Sequence, residues 1–303
     1  MSDPVIVTED LGRVRVITIN RPQALNSMNN AVFAGIRDAL AEAEVDSGVA
    51  VAVITGEGRA FSAGQDLQEM QDGLSGDGGD HQFPAMLKQL TEFKKPLIAA
   101  VNGLGVGIGM TFLAHCDLVL MSTAARLRTP FPQLGLAPEA GSSYTFATRM
   151  GWQNAAYVLM SGRWFSAEEC LEMGLVWKVC EPESLMSEAI AVAGELAANP
   201  IPSLVATKEL LMGAGRPEEA WAAHKRENGA YATLMGAPAN TEAVAAFVEK
   251  RDPDFSSIPF QPDQSSEEGL SEWQETYQAE TGLNVDNLVW DTPEGVPVSP
   301  LYV

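Results

Sequence analysis

The first apolar segments, "VIVTED" and "VRVITIN", run apolar or alternate and are rich in β-branched residues, which predicts two short strands joined by a turn around Asp10 to Gly12. From Asn29 to Val45 the period changes. Val32, Phe33, Ile36, Leu40 and Val45 fall near helical spacing, and "VAVITG" at 51–56 then reads as a buried strand. The plan repeats with a helix from about Phe83 to Phe93 and the strand "PLIAAVNG". A third round runs from the glycine-rich "GVGIGM" through an apolar helical stretch ending near His115 into the strand "DLVLMS". Strands alternating with helices at this interval predict an α/β fold with crossovers. From Glu139 to about Ala198 the pattern predicts mainly helix, with three helices separated near Gly151 and Gly162 and ending near Gly174; "EEAWAAHKRENGAYATLM" and "TEAVAAFVEKRD" predict later ones.

Composition adds boundaries to this picture. The 303 residues suffice for one large domain with an appendage or two modest ones, and the 46% hydrophobic content provides a sizeable core. No apolar run is long enough to cross a bilayer, and no basic-then-apolar leader opens the chain. The net charge is −21; from Asp252 onward there are 11 acidic residues and no Lys or Arg, so acid concentrates at the C-terminal end. Such a charge disfavours nucleic acid and anionic membrane surfaces as partners. Cys116, Cys170 and Cys180 are odd in number and form no metal-ligand spacing, and His81, His115 and His224 are far apart in sequence, so the expectation is a cytoplasmic protein without a metal site.

Three stretches carry candidate chemistry. In "GRAFSAGQDLQEM" the small residues Ser62, Ala63 and Gly64 allow a tight turn that could leave the N–H of Gln65 pointing into a cleft. In "NGLGVGIGM", Gly107 and Gly109 flank Ile108, whose N–H could be left free in the same way. Two fixed backbone donors are what an enolate oxygen needs, although each turn alone is equally well a structural glycine turn. In "LGLAPEAGSSYTF" a single acid, Glu139, stands where a helix would begin: either a charge favoured by the helix dipole or the reacting group of an enzyme.

"NRPQALNSMN", "AFSAGQDL", "AAVNGLGVGIGMTFLAHCDLVL", "TPFPQLGLAPEAGSSYTF", "SAEECLEMGLVWKV" and "TEAVAAFVEKRDPDF" occur in an order and spacing that resembles the crotonase, or enoyl-CoA hydratase/isomerase, superfamily over about residues 5–255. The resemblance implies an α/β spiral of ββα units followed by a helical C-terminal region, assembled as a homotrimer or dimer of trimers and binding acyl-CoA thioesters as substrate, with no cofactor. It implies an oxyanion hole from Gln65 and Ile108, and an acyl site lined by Ala63, Gly64, Asp66, Met70, Gly107 and Phe131. Hydratases of the family use two glutamates, at positions held here by Thr111 and Phe131, so hydration is disfavoured. The "PE" at Glu139 looks like that of the Δ3,Δ2-enoyl-CoA isomerases. One carboxylate would then move a proton from C2 to C4, with Phe131 excluding water. A helix start would help keep Glu139 ionised against desolvation by Phe131 and other apolar neighbours, and the sequence leaves open which of the two effects dominates. Other family reactions, such as thioester hydrolysis or atypical hydration, and a non-catalytic acyl-CoA-binding subunit are the alternatives.

The family's usual lysine near the CoA phosphates is replaced by Gln23, leaving Arg21, Lys94, Lys95 and, from a neighbouring subunit, Lys225 or Arg226 as candidates. "QDGLSGDGGDHQ", 71–82, is expected to be a mobile loop beside the acyl pocket, a lid or, more commonly for such a composition, a plain surface loop. The expected division is a core at 1–198, a helical oligomerisation region at 199–252 and an acidic extended tail at 253–303. The end of that tail, "LVWDTPEGVPVSPLYV", resembles the N-terminal segment of methylmalonyl-CoA mutase-type subunits, implying either a gene-fusion remnant or an arm that binds a mutase-like partner through Leu288, Val289, Trp290, Val296, Val298 and Leu301. On composition alone a disordered acidic tail is an equal reading.

Overall fold

A computed structural model describes residues 3–66, 69, 81–213, 215–259, 290–291 and 297–298. The chain forms two compact units, 1–253 and 254–303. The first is a mixed α/β fold around a six-stranded sheet ordered β1-β2-β3-β5-β7-β10. Its strands are β1 (Ile6–Leu11), β2 (Val14–Ile19), β3 (Val51–Gly56), β5 (Leu97–Val101), β7 (Leu118–Ser122) and β10 (Lys178–Cys180). The β1–β2 pair is antiparallel and the other pairs are parallel. Both faces of the sheet are covered. Ile17, Ile19, Ala52, Ile54, Ala99 and Val119 enter one core, while Val16, Val51, Val53, Ile98, Ala100 and Leu120 enter a second. Two-sided burial explains why "VAVITG" and "LIAAV" are continuously apolar instead of alternating.

Helix α1 (Asn30–Val45) begins where Asn29 accepts a hydrogen bond from the Val32 N–H at 3.1 Å. It buries Val32, Phe33, Ile36 and Leu40 as the spacing predicts. Val45, assigned by spacing to the same face, is exposed, being the last residue of the helix. Helix α2 (Phe83–Glu92) follows the expected course. The stretch toward His115 is less regular than predicted: a single turn of α-helix, α3 (Ile108–Thr111), continues as a 3-10 helix over Phe112–His115.

A second sheet, not anticipated from the pattern, has the order β4-β6-β8-β9. Its strands β4 (Ala60–Ser62), β6 (Leu104–Val106), β8 (Arg126–Arg128) and β9 (Trp164–Ser166) have three residues each. The first three are parallel, and β9 is antiparallel to β8. Segment 139–198 is thus not all helix: α4 (Ser142–Met150), α5 (Trp152–Ser161), α6 (Ala167–Glu172) and α7 (Leu185–Ala197) are interrupted by β9 and β10. Helices α8 (Ile201–Met212), α9 (Arg216–Leu234) and α10 (Pro238–Glu249) form the helical C-terminal region of this unit. Among the described residues no single helix is long and apolar enough to cross a membrane. In the second unit Trp290–Asp291 pairs antiparallel with Pro297–Val298.

Candidate active site

The small sheet places the two glycine turns side by side. Gly64 follows β4 and Gly107 follows β6, so both turns leave the C-terminal ends of adjacent parallel strands. Their backbones are in near contact: a Cβ on Gly64 would come within 2.8 Å of the Val106 carbonyl oxygen, and φ there is +95°. Gly107 has φ +54° and ψ −119°, a conformation that an L side chain rarely adopts. Each glycine directly precedes a proposed donor.

The first turn is held from behind. The Ala63 N–H donates to the Leu25 carbonyl (2.9 Å), the Met28 N–H to that of Gly64 (2.7 Å) and the Asp66 N–H to that of Met28 (3.0 Å). In this parallel bridge Met28 engages the residues on either side of Gln65, so the Gln65 N–H itself has no acceptor among the described residues. Asn26, to which the sequence pattern assigns no role, is fully buried at φ +56°. Its Nδ2 donates to the Glu57 and Ala60 carbonyls (2.9 and 2.7 Å), and its carbonyl accepts from the Ser62 hydroxyl at 2.9 Å. Ile108 is buried and opens α3, where the first amides of a helix have no intrahelical acceptor; among the described residues its N–H has none. Two unengaged amides on adjacent strand ends have the chemistry of an anion cradle.

Glu139 lies at the third edge of this arrangement. A Cβ on Gly107 would be 3.5 Å from the Glu139 Oε1, which puts the carboxyl against the turn that presents the Ile108 amide. Although part of the residue is accessible, the carboxyl is enclosed by protein. Desolvation, with the negative charge of Glu227 as a second cause, raises its pKa from 4.5 to about 7. Of the two opposing effects on Glu139, desolvation prevails over the helix start. Helix α4 begins only at Ser142, and the anion at its N-terminus is Glu227 of α9, which accepts from the Gly141 N–H (2.6 Å), the Ser143 N–H (2.8 Å) and the Ser143 hydroxyl (2.6 Å). Tyr231, one turn further along α9, has its pKa pushed up to about 12 by burial and then by the charge of Glu139. No motif in the sequence marks Glu227 or Tyr231; both sit some 90 residues from Glu139, and only packing joins them.

Thr111 and Phe131 are both buried, Thr111 completely. The Thr111 hydroxyl has no hydrogen-bond partner among the described residues. Ala63 and Gly64 are part of the first turn. Asp66 is paired with Arg21 at 3.0 Å, and Arg21 also donates to the Ser27 carbonyl at 2.7 Å. Burial opposes the charge of Asp66, but the bonds from Arg21, the backbone at Glu69 and Ser27 hold its carboxyl below the usual range. The structure thus joins a proposed phosphate ligand to a proposed acyl-site residue. The proposal for Lys95 is corrected: only 4% exposed, its Nζ donates to the Ala43, Asp46 and Val49 carbonyls at 2.7, 2.6 and 2.7 Å, an arrangement with no donor left for a phosphate. Lys94, Lys225 and Arg226 are exposed. Met70 and residues 71–80 of the expected loop lie outside the described residues; of the rest, His81 stands 3.3 Å from the Gln65 side chain. Among the described residues no group of three or more His, Cys, Asp or Glu could hold a metal ion.

Residues 9–258 match the family described as enoyl-CoA hydratase/isomerase. A probable enoyl-CoA hydratase of Rhizobium meliloti (strain 1021) is 33% identical over 257 residues, 84% of this chain and 99% of the relative. The 1,2-epoxyphenylacetyl-CoA isomerase of Escherichia coli (strain K12) is 31% identical over 250 residues, 80% of this chain and 95% of the relative. A crystal structure of an enoyl-CoA hydratase/isomerase from Pseudoalteromonas atlantica T6c is similar with a TM-score of 0.79 and 34% identity, covering 83% of this chain and all of that one.

Proposed function

This chain belongs to the enoyl-CoA hydratase/isomerase family, and on that footing we propose that it is an acyl-CoA isomerase that shifts a 3-enoyl-CoA double bond to the 2-position with Glu139 as its single base. The observation that carries this reading is the Glu139 carboxyl against the Gly107 turn, with a pKa near 7. Glu139 takes a proton from C2, and the electron pair spreads over the thioester oxygen and C4 as a dienolate. The Gln65 and Ile108 amides donate to that oxygen; one such donor typically contributes about 2.7–4 kcal/mol to lowering the barrier. Return of the proton from Glu139 to C4 leaves the double bond between C2 and C3, with no water consumed. A group whose pKa lies near the working pH can both accept and return the proton. Thr111 and Phe131, at the positions where the family resemblance puts the two hydratase acids, offer no group to position and deprotonate water.

The test is ultraviolet spectroscopy of 3-enoyl-CoA and 2-enoyl-CoA. Interconversion without free thiol or net hydration is expected, and Glu139→Gln abolishes it. Full activity of that variant would sink the assignment. Net hydration by wild type would instead favour the activity named for the Rhizobium relative, and acyl-CoA binding without turnover a binding subunit.

The cellular setting and assembly complete the proposal: a cytoplasmic homotrimer or dimer of trimers. The exposed Leu210, Leu211, Phe247 and Val248 of α8 and α10 support an oligomer surface in 199–252, which light scattering tests by returning a multiple of the chain mass. We also infer that 253–303 is an arm for a mutase-like partner. Truncation after Pro253 that leaves partner capture unchanged would remove that role.

A further inference from the structure

Glu139 sits on a backbone that does not hold itself. The next residue, Ala140, is fully buried at φ +61°, and Gly141 follows at φ +71°. A non-glycine residue in the left-handed region is strained and persists where its surroundings enforce it. Those surroundings are specific. His115 Nε2 donates to the Ala140 carbonyl at 2.8 Å, the Ser142 N–H donates to that of Glu139 at 3.0 Å, and the Ala220 carbonyl would lie 2.6 Å from a Cβ on Gly141. On the far side the 5%-exposed carboxylate of Glu227 takes the three donors of Gly141 and Ser143 described above.

We propose that Glu227 is a positioning residue for the active site: from the C-terminal helix it clamps the Ala140–Gly141 turn that carries Glu139, and it occupies the N-terminus of α4 so that this positive end does not hold Glu139 as an anion. This rests on the reading of Glu139 as the base. A merely structural helix cap would satisfy the same donors, but it would leave the protonation of Glu139 unchanged.

The charged and titratable groups on the elements around the turn narrow the electrostatic source to Glu227. His115, on the 3-10 helix beneath it, is pushed down to about 4, chiefly by burial, and is neutral at neutral pH. On α9, His224 is lowered by burial and Tyr231 is raised to about 12, so both are neutral as well. Arg149 of α4 donates to the carbonyls of Leu113, Ala114 and Cys116, and Arg216 of α9 also donates to that of Ala114. Arg128 of β8 is directed to Gly162 and Gln133. Among the described residues Glu227 is the charged group that acts on Glu139 directly, and its action is to raise the pKa, second to desolvation.

The test compares wild type, Glu227→Gln, Ser143→Ala and Glu139→Gln in the full-length protein, measuring kcat and KM for a 3-enoyl-CoA from pH 5 to 9. With Glu227→Gln the acid limb of kcat moves from about 7 toward the ordinary carboxylate range. At pH 8 kcat falls by about 10²-fold from misplacement of the base, while KM stays within about twofold because Glu227 contacts the turn and not the substrate. Ser143→Ala removes one of the three donors and leaves the backbone and the Glu227 charge in place, so it loosens the clamp alone: kcat at pH 8 falls by a smaller factor and the acid limb stays near 7. An unmoved limb with unchanged kcat in a folded Glu227→Gln protein overturns the proposal. If that variant does not fold, Ser143→Ala decides, and a wild-type kcat there overturns it equally. Glu139→Gln separates the two levels: if it is inactive while Glu227→Gln behaves as wild type, only the positioning role fails, whereas if it is active, the base assignment fails and the clamp loses its function with it.

Discussion

Glutamine at position 139 preserves the shape of the side chain and removes its ionisation, so the stability of this variant relative to wild type must depend on pH. In the folded protein the carboxyl has its pKa raised from 4.5 to about 7. Because the folded value lies above the unfolded one, the folded state holds the extra proton: the contribution is fully present below about 4.5 and is lost as pH rises through about 7. A tenfold change in acidity is worth about 1.36 kcal/mol, so wild type above pH 8 carries a penalty of about 3 kcal/mol that the glutamine variant does not. Between pH 5.5 and pH 9 the advantage of Glu139→Gln therefore grows by about 2 kcal/mol. Urea titrations of both proteins at several pH values, at one fixed protein concentration, read this directly. For a chain of this size 3 kcal/mol corresponds to roughly 6–12 °C in Tm. A stability difference that is flat with pH, or that shrinks as pH rises, would falsify the premise that the site makes ionisation of Glu139 costly.

Gly64→Ala would put a Cβ 2.8 Å from the Val106 carbonyl oxygen at φ +95°; kcat is expected to fall by about 10²–10³-fold through loss of the Gln65 donor, and a normal kcat would show that this amide does not serve the reaction. Lys95→Met leaves the Ala43, Asp46 and Val49 carbonyls without their donor and is expected to destabilise by about 3 kcal/mol, roughly 1 for each, with KM for acyl-CoA unchanged. A raised KM at unaltered stability would restore the phosphate role. Thr111→Val deletes a buried hydroxyl with no partner among the described residues and is expected to stabilise by about 1 kcal/mol at constant kcat; a large loss of activity would place that hydroxyl in the chemistry.

The large sheet and its first crossover helices are legible in the sequence because they are long enough for a period to show. Six-residue β3 is apolar on both faces, and α1 repeats its buried positions over four turns. The small sheet is not legible because each strand has three residues, too few for alternation to differ from chance. Its strands β4 and β6 hold the two glycine turns, so the sequence marks the turns without the frame that aligns them. Lys95 misleads for a related reason: a lysine next to another lysine reads as surface charge until three carbonyls from α1 and the loop after it are found around its Nζ.

By itself the sequence determined the family, the order of the long elements, the two glycine turns at Gly64 and Gly107 and the acid Glu139 that stands with Thr111 and Phe131 in the family pattern. These are properties of local pattern and residue type, which a linear chain records. Tertiary structure decided what state that acid is in. Glu227 and Tyr231 come to it from a helix some 90 residues away, Glu227 takes the N-terminus that Glu139 was expected to use, and enclosure raises the Glu139 pKa to about 7. Desolvation and charge repulsion depend on distance in space, and no spacing along the chain encodes that distance.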